Sequence, residues 1–200
     1  MVATLVSGLS ALDTWTFHLI NRSLQNPLFD LVMPILSAKR YFLLPAAVAI
    51  LMLLVWGGRR MWVVLVVAAA AVALSDLGTG LIKAALHRTR PCHVISNVHL
   101  LAGCTRSFSL PSNHASNMFA LAAVGWLSFR RWRWVLLLLA GGVAYSRVYL
   151  GVHYPADVLA GAVWGGAIGW GCSVLAAHLW PDRLTARTSP PRPVPADSTP

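Results

Sequence analysis

Long apolar runs alternate with short polar connections along this chain, and the run length matches a bilayer better than a water-soluble core. Stretches at about 41–57, 62–86, 114–129, 134–150 and 156–179 each come near the roughly 17–25 residues that a spanning helix needs. Five membrane helices are expected from them. Residues 10–37 are also apolar, but Asp13, Arg22, Asn26, Pro27 and Asp30 interrupt them. They read as interfacial or re-entrant helices, with a sixth, weaker span as the alternative. The expected fold class is all-α, a polytopic membrane helical bundle of five to six transmembrane helices.

Composition agrees with this reading. Of 200 residues 57% are hydrophobic and 11% charged, and none is Glu, far from the balance of a soluble domain. The first twenty residues contain no Lys or Arg, so they lack the basic start of a cleavable signal peptide and are expected to be retained. Residues 1–180 are expected to form one membrane domain, with 1–37 as its interfacial or weak first part. Residues 181–200 are rich in Pro and poor in large apolar groups, and are expected to be a disordered cytoplasmic tail. There is no internal repeat and no second domain, and nothing specifies an oligomeric state.

Charge then sets an orientation. Arg59 and Arg60, then Arg130, Arg131 and Arg133, then Arg183, Arg187 and Arg192 fall on one side if there are five spans. The positive-inside rule makes that side cytoplasmic. Trp56, Trp62, Trp126, Trp132, Trp134 and Trp180 lie at the same ends, as an interfacial belt would. The net charge of +10 is therefore topological, and no nucleic-acid partner is expected. Residues 87–112 and 147–155 are then expected to face outward, away from the cytoplasm.

Three polar clusters reach that outer face. Lys83 lies near the end of a span and Arg90 follows just before Pro91, which should stop the helix. Snorkelling to the interface is the alternative for Lys83. Asp76 lies seven residues before Lys83 within the apolar run; a carboxylate there is costly unless paired or useful, so it is expected to face the bundle as a supporting group. Next, Pro111, Ser112 and Asn113 read as a helix start that aims backbone N–H groups at the surroundings of His114, with ordinary capping by Ser112 as the alternative. Finally, Arg147 ends a span, and His153 and Asp157 stand four apart across the next helix start, a spacing that lets a carboxylate reach the imidazole.

These parts suit phosphoryl transfer. Lys83, Arg90, Arg147, Ser112 and the helix-start amides can surround phosphate oxygens. His153, oriented by Asp157, can attack phosphorus, while His114 protonates the leaving oxygen and later activates water. The cation-rich set with one obvious carboxylate argues for charge neutralisation by side chains, so no metal or other cofactor is expected.

The order Lys-x6-Arg-Pro (Lys83, Arg90, Pro91), Pro-Ser-x-His (Pro111 to His114) and Ser-Arg-x5-His-x3-Asp (Ser146, Arg147, His153, Asp157) resembles the type 2 phosphatidic acid phosphatase (PAP2) superfamily. The resemblance covers roughly residues 20–180. It implies a helical membrane bundle and metal-independent removal of phosphate from lipid phosphates, with His153 as nucleophile, His114 as acid, and Ser112 and the cations as phosphate ligands. Where the family usually has Gly between Ser and His, this chain has Asn113; its side chain either narrows the pocket or donates to the phosphate itself. Among family members, small bacterial proteins of this kind are similar to undecaprenyl diphosphate phosphatases. Phosphatidic acid, phosphatidylglycerol phosphate and lipid A are the alternative substrates. Soluble vanadium haloperoxidases share the motifs but lack such spans. A catalytically silent membrane protein or transporter is the reading from another class, and it leaves the filled motif positions unexplained.

Cys92 and Cys104 both fall in the outward loop, where they are either bridged or free. That loop also carries His93, Asn97, His99 and Arg106, which are expected to make room for a second phosphate. Gly161, Gly165 and Gly169 form a small-residue stripe, expected to pack inside the bundle in preference to forming a dimer seam.

Overall fold

Each of the five apolar runs becomes a helix in the computed structural model, which describes residues 2–181 and, of these, all side chains but those of 2–6, 39 and 45. The expected tail lies almost wholly outside the described residues. The helices are α1 (Val2–His18), α2 (Pro27–Ser37), α3 (Lys39–Trp56), α4 (Gly58–Leu86), the single turn α5 (Pro91–Val94), α6 (Asn113–Ser128), α7 (Arg133–Tyr149) and α8 (Pro155–Leu179). No strand occurs among the described residues.

The number of spans differs from expectation. Among the described residues, only the stretch that begins with α4, and α8, are each long and apolar enough to cross a bilayer, while α2 and α3 pass together as a pair bent by 57°. The 16 residues of α6 and the 17 of α7 rise only about 25 Å at 1.5 Å per residue, short of a core of roughly 30 Å. Both stop at the buried site, where loops take over: α6 begins behind the buried Ser112 and α7 ends on the buried Tyr149 and Leu150. Among the described residues two to three spans are thus found by length and composition, and the expected count of five to six is not confirmed.

The glycine stripe explains the tightest packing. A Cβ on Gly165 would sit 1.8 Å from the Ser116 carbonyl oxygen, and one on Gly169 would sit 2.3 Å from that of Ala120. Only glycine lets α8 approach α6 so closely, and the stripe packs inside the bundle as expected. On the other side of α6, α4 presents a buried row of Val64, Val67, Ala71, Ser75, Thr79 and Lys83. Ser75 and Ser116 hydroxyls hydrogen-bond across that contact, and Thr79 Oγ1 donates to Ser116 Oγ at 3.3 Å. Thr79 Oγ1 also lies 2.7 Å from the Ser75 carbonyl of its own helix, so the cluster ties α4 to α6 chiefly through the Ser75–Ser116 pair.

The N-terminal stretch is tied to the outer loops. Asn21, fully buried, donates to the carbonyls of His99 at 2.9 Å and Tyr149 at 2.7 Å, and accepts from the His99 amide at 2.9 Å. The outer loop is closed by a Cys92–Cys104 disulfide with Cα atoms 6.3 Å apart, which decides between the two states left open by the sequence.

Candidate functional site

His153 sits in the turn between α7 and α8 and is 2% exposed. Its Nε2 lies 3.0 Å from Arg90 Nη1. A guanidinium only donates, so Nε2 accepts and the ring proton is on Nδ1. Nδ1 faces Asp157 Oδ2 at 3.4 Å and Ser109 Oγ at 3.5 Å. Burial pushes the ring's pKa down to about 4; Arg90 and Arg147 push the same way, and Asp157 opposes them. The imidazole is neutral at pH 7, with its Nε2 lone pair turned toward the cations.

Pro155 starts α8, and Asp157 closes its first turn by accepting the Tyr154 amide at 2.8 Å. That capping role holds the carboxylate rigidly below His153. Arg90 is aimed by the chain around it: Nε donates to the Ser107 carbonyl at 2.8 Å, Nη2 to Ser107 Oγ at 2.9 Å and Nη1 to the Val152 carbonyl at 3.0 Å. Lys83 does not snorkel. It is 8% exposed, and Nζ donates to the carbonyls of Phe108 at 2.6 Å and Ser109 at 3.4 Å. Arg147 donates from Nη1 to Ser37 Oγ, while its buried Nε has no hydrogen-bond partner.

Ser112 precedes α6 but does not cap it. It is fully buried, and its Oγ makes no hydrogen bond. A buried hydroxyl without a partner is costly, so ordinary capping does not account for it. With the partnerless Arg147 Nε it makes two donors suited to an anion.

Two expectations change. Asp76 does not face the bundle interior: it is exposed on the rim beside the buried Ser75, because the packed row of α4 runs through Ser75, Thr79 and Lys83. It supports the site from outside by accepting from Asn113 Nδ2 at 2.8 Å and Asn117 Nδ2 at 3.0 Å. Asn113 is accordingly held by Asp76. The outer-loop histidines are engaged within the protein and do not line the cavity that Leu101, Ala102 and Gly103 of the same loop help to form. His99 Nε2 pairs with Asp30 Oδ1 at 2.8 Å, and His93 Nε2 lies 3.0 Å from the Thr105 carbonyl.

Two cavities meet at Ser37. One, of about 530 Å³, has a mixed wall in which Asp30, Ser37, Arg40, Tyr41 and Arg147 face Leu31, Ile35 and Leu101 among others. The other, of about 390 Å³, is mostly apolar, with Phe42, Leu43, Met118 and Leu121, and it carries Asn113 and His114. Among the described residues, the grouping with metal-ligand spacing is Cys92, His93 and Cys104, and its two thiols are consumed by the disulfide.

Sequence reasoning missed Ser109, Ser37, Arg88 and Asp13. Ser109 is fully buried and donates to Asp157 Oδ2. Arg88 lies inside the Lys-x6-Arg spacing, where a third cation in eight residues was the available signal. Asp13 and Ser37 come from helices too far away in sequence to give one.

Comparison with known proteins places these features in a family. Residues 62–181 match the model of the PAP2 superfamily. The lipid A 4'-phosphatase of Bacteroides thetaiotaomicron is 44% identical over 91 residues, covering 44% of this chain and 38% of that protein. The undecaprenyl-diphosphatase of Sulfolobus acidocaldarius is 37% identical over 84 residues, covering 42% of this chain and 41% of that protein. The matches thus span about two fifths of the length of these curated relatives. The crystal structure of Aquifex aeolicus LpxE has a TM-score of 0.63 and 25% identity, covering 84% of this chain and 95% of that one. Since the family match takes in more than half of its residues, this integral membrane chain belongs to the PAP2 superfamily.

Proposed function

We propose that this protein removes phosphate from a membrane lipid through a phosphohistidine, without a metal. The observation that carries the reading is His153 Nε2, a neutral nucleophile, beside Arg90, with Ser112 Oγ and Arg147 Nε as buried donors left without a protein partner. A phosphate oxygen replaces Nε2 as acceptor for Arg90, and its other oxygens take Ser112 Oγ and Arg147 Nε. The Nε2 lone pair attacks phosphorus. The bond from phosphorus to the leaving oxygen breaks, the anhydride oxygen of a lipid diphosphate or the ester oxygen of a lipid monophosphate, and that oxygen takes the proton of His114 as the lipid phosphate or the lipid alcohol departs. Water then attacks phosphorus, His114 takes its proton, the P–N bond electrons return to Nε2, and inorganic phosphate leaves. Asp157 and Ser109 hold the Nδ1 proton throughout.

The leaving group is lipid because His114 lies on the apolar cavity of Phe42, Leu43, Met118 and Leu121. A tail lying there keeps the scissile oxygen at His114, so binding energy far from phosphorus is used for orientation. Undecaprenyl diphosphate is the substrate we favour, with lipid A, phosphatidic acid and phosphatidylglycerol phosphate as runners-up; the relatives' names include both of the first two. A second phosphate has room beside Ser37, Arg40 and Tyr41. The site would face the periplasm or exterior of a bacterial plasma membrane.

The test is purified protein assayed on this panel with EDTA present, followed by acid-labile phosphate trapping on His153. Release of phosphate with a trapped phosphohistidine is expected. Activity that EDTA abolishes, or turnover with phosphate trapped on another residue, would overturn the chemistry; a clear preference for phosphatidic acid would change only the substrate.

A further inference from the structure

Arg88 joins two acidic side chains that the phosphatase motifs do not connect. Its Nη1 donates to Asp157 Oδ1 at 2.7 Å, and its Nη2 to Asp13 Oδ2 at 2.5 Å. The second oxygen of Asp13 accepts the Ala156 amide at 2.8 Å. The guanidinium lies over the Tyr154 ring, 4.2 Å from its centroid, and that ring packs on Phe17 of α1 at 5.6 Å. Side-chain exposure is 9% for Asp13, 26% for Arg88 and nil for Asp157. The α1 helix therefore reaches the carboxylate beneath His153 from outside residues 62–181, the stretch that matches the family model.

The two oxygens of Asp157 have separate duties. Oδ1 belongs to Arg88, while Oδ2 serves Ser109, the Tyr154 amide and His153. An unshared arginine on Oδ1 would draw much of the carboxylate's negative potential away from the imidazole. Asp13 divides that positive charge, since one guanidinium fork then serves two carboxylates.

We propose that Asp13 and Arg88 are positioning residues for the phosphatase site: Arg88 fixes the rotation of Asp157 so that Oδ2 faces His153, and Asp13, acting through Arg88, preserves the charge that Asp157 offers the ring. Among the described residues, the other charged groups that act on the ring are Arg90 from the segment after α4 and Arg147 from α7, while Lys83 of α4 and Tyr154 before α8 act on Asp157 beside it. None of them is altered in the test.

The role of His153 rests on the phosphatase reading, but its ring can be titrated without turnover, so the two fail separately. The measurement is NMR titration of detergent-solubilised protein labelled with ¹³C-histidine, with the His153 signal assigned by its loss in His153→Gln. Asp13→Asn should lower the His153 midpoint by about half a pH unit, and Arg88→Gln should raise it by a similar amount. In the Arg88→Gln background, Asp13→Asn should leave the midpoint where Arg88→Gln put it. Equal shifts from Asp13→Asn in both backgrounds would make Asp13 a bare charge acting at a distance and would overturn the relay, as would an unmoved midpoint. Should Arg88→Gln fail to fold, Arg88→Lys is the second background, where a point charge cannot fork to both carboxylates: an Asp13→Asn shift there equal to that in wild type refutes the relay, as does a wild-type midpoint in Asp13→Asn, which is isosteric and does not touch His153.

Discussion

Arg90 Nη1 and His153 Nε2 stand 3.0 Å apart, which places the only ring proton of His153 on the side of Asp157. Because burial holds the ring's pKa down to about 4, the nucleophile is neutral through the ordinary histidine range. The sign follows directly: the neutral form persists as pH falls past 6.5 and is lost only near the lowered value. The His153 limb of a kcat/KM profile, which reports the free enzyme, should therefore lie well below pH 6.5. A profile falling with an apparent pKa of 6.5, and shifted by Arg90→Lys, would contradict this account.

His153→Ala removes the attacking atom, and His114→Ala removes the proton donor for the lipid oxygen. Loss of the acid should lower kcat by about 10²- to 10⁴-fold, and loss of the nucleophile should abolish phosphohistidine formation. Binding of a lipid phosphate, followed by intrinsic fluorescence, should survive both changes because the cations remain. Phosphohistidine in His153→Ala at wild-type yield would reassign the nucleophile.

Ser112→Ala separates binding from folding. Its Oγ has no partner in the protein, so thermal stability should hold or improve. Losing one hydrogen bond to a charged phosphate, about 1.5–3 kcal/mol, should reduce kcat/KM by roughly tenfold to a hundredfold. A variant that loses stability and keeps kcat/KM would make Ser112 structural.

Asn113 faces Asp76, so Asn113→Gly should keep kcat within a few fold of wild type. Asn113→Asp instead puts two carboxylates together at the rim, where like charges repel, and should lower thermal stability. Equal kcat/KM loss in the glycine and aspartate variants would mean that the Asn113 amide serves the phosphate directly.

Leu121 lines the apolar cavity that contains His114. Leu121→Trp should fill it and raise KM for long-chain lipid phosphates while sparing a short soluble phosphate ester, which is expected to be a poor substrate throughout. Comparing the two substrates in one detergent checks this, and equal losses on both would place the lipid tail elsewhere.

The helical membrane fold was legible because hydropathy is local: each apolar run carries its own backbone hydrogen bonds and needs no distant partner. The motif residues were legible for a related reason. Pro91, Pro111 and Pro155 mark helix ends in the sequence, and Lys83, Arg90, Ser112, His114, His153 and Asp157 lie within a turn or two of them, where groups meet the outer surface. The glycine stripe of α8 likewise announced a close helix contact by period alone.

What remained was decided by three-dimensional proximity. Asp13 meets Arg88 across 75 positions of sequence, and Arg147 meets Ser37 across 110, and no local pattern encodes such a pairing. Asp76 sat at the right spacing from Lys83 yet fell on the rim, because the buried row of α4 is set by contact with α6 and α8. Full spans were expected at α6 and α7, but both end at the buried site. The disulfide and the engagement of His93 and His99 depended on how the outer loop folds back. Helix identity is a property of each segment's own backbone, whereas the orientation of a charged side chain is settled by which neighbouring helix offers it a partner in a low-dielectric interior.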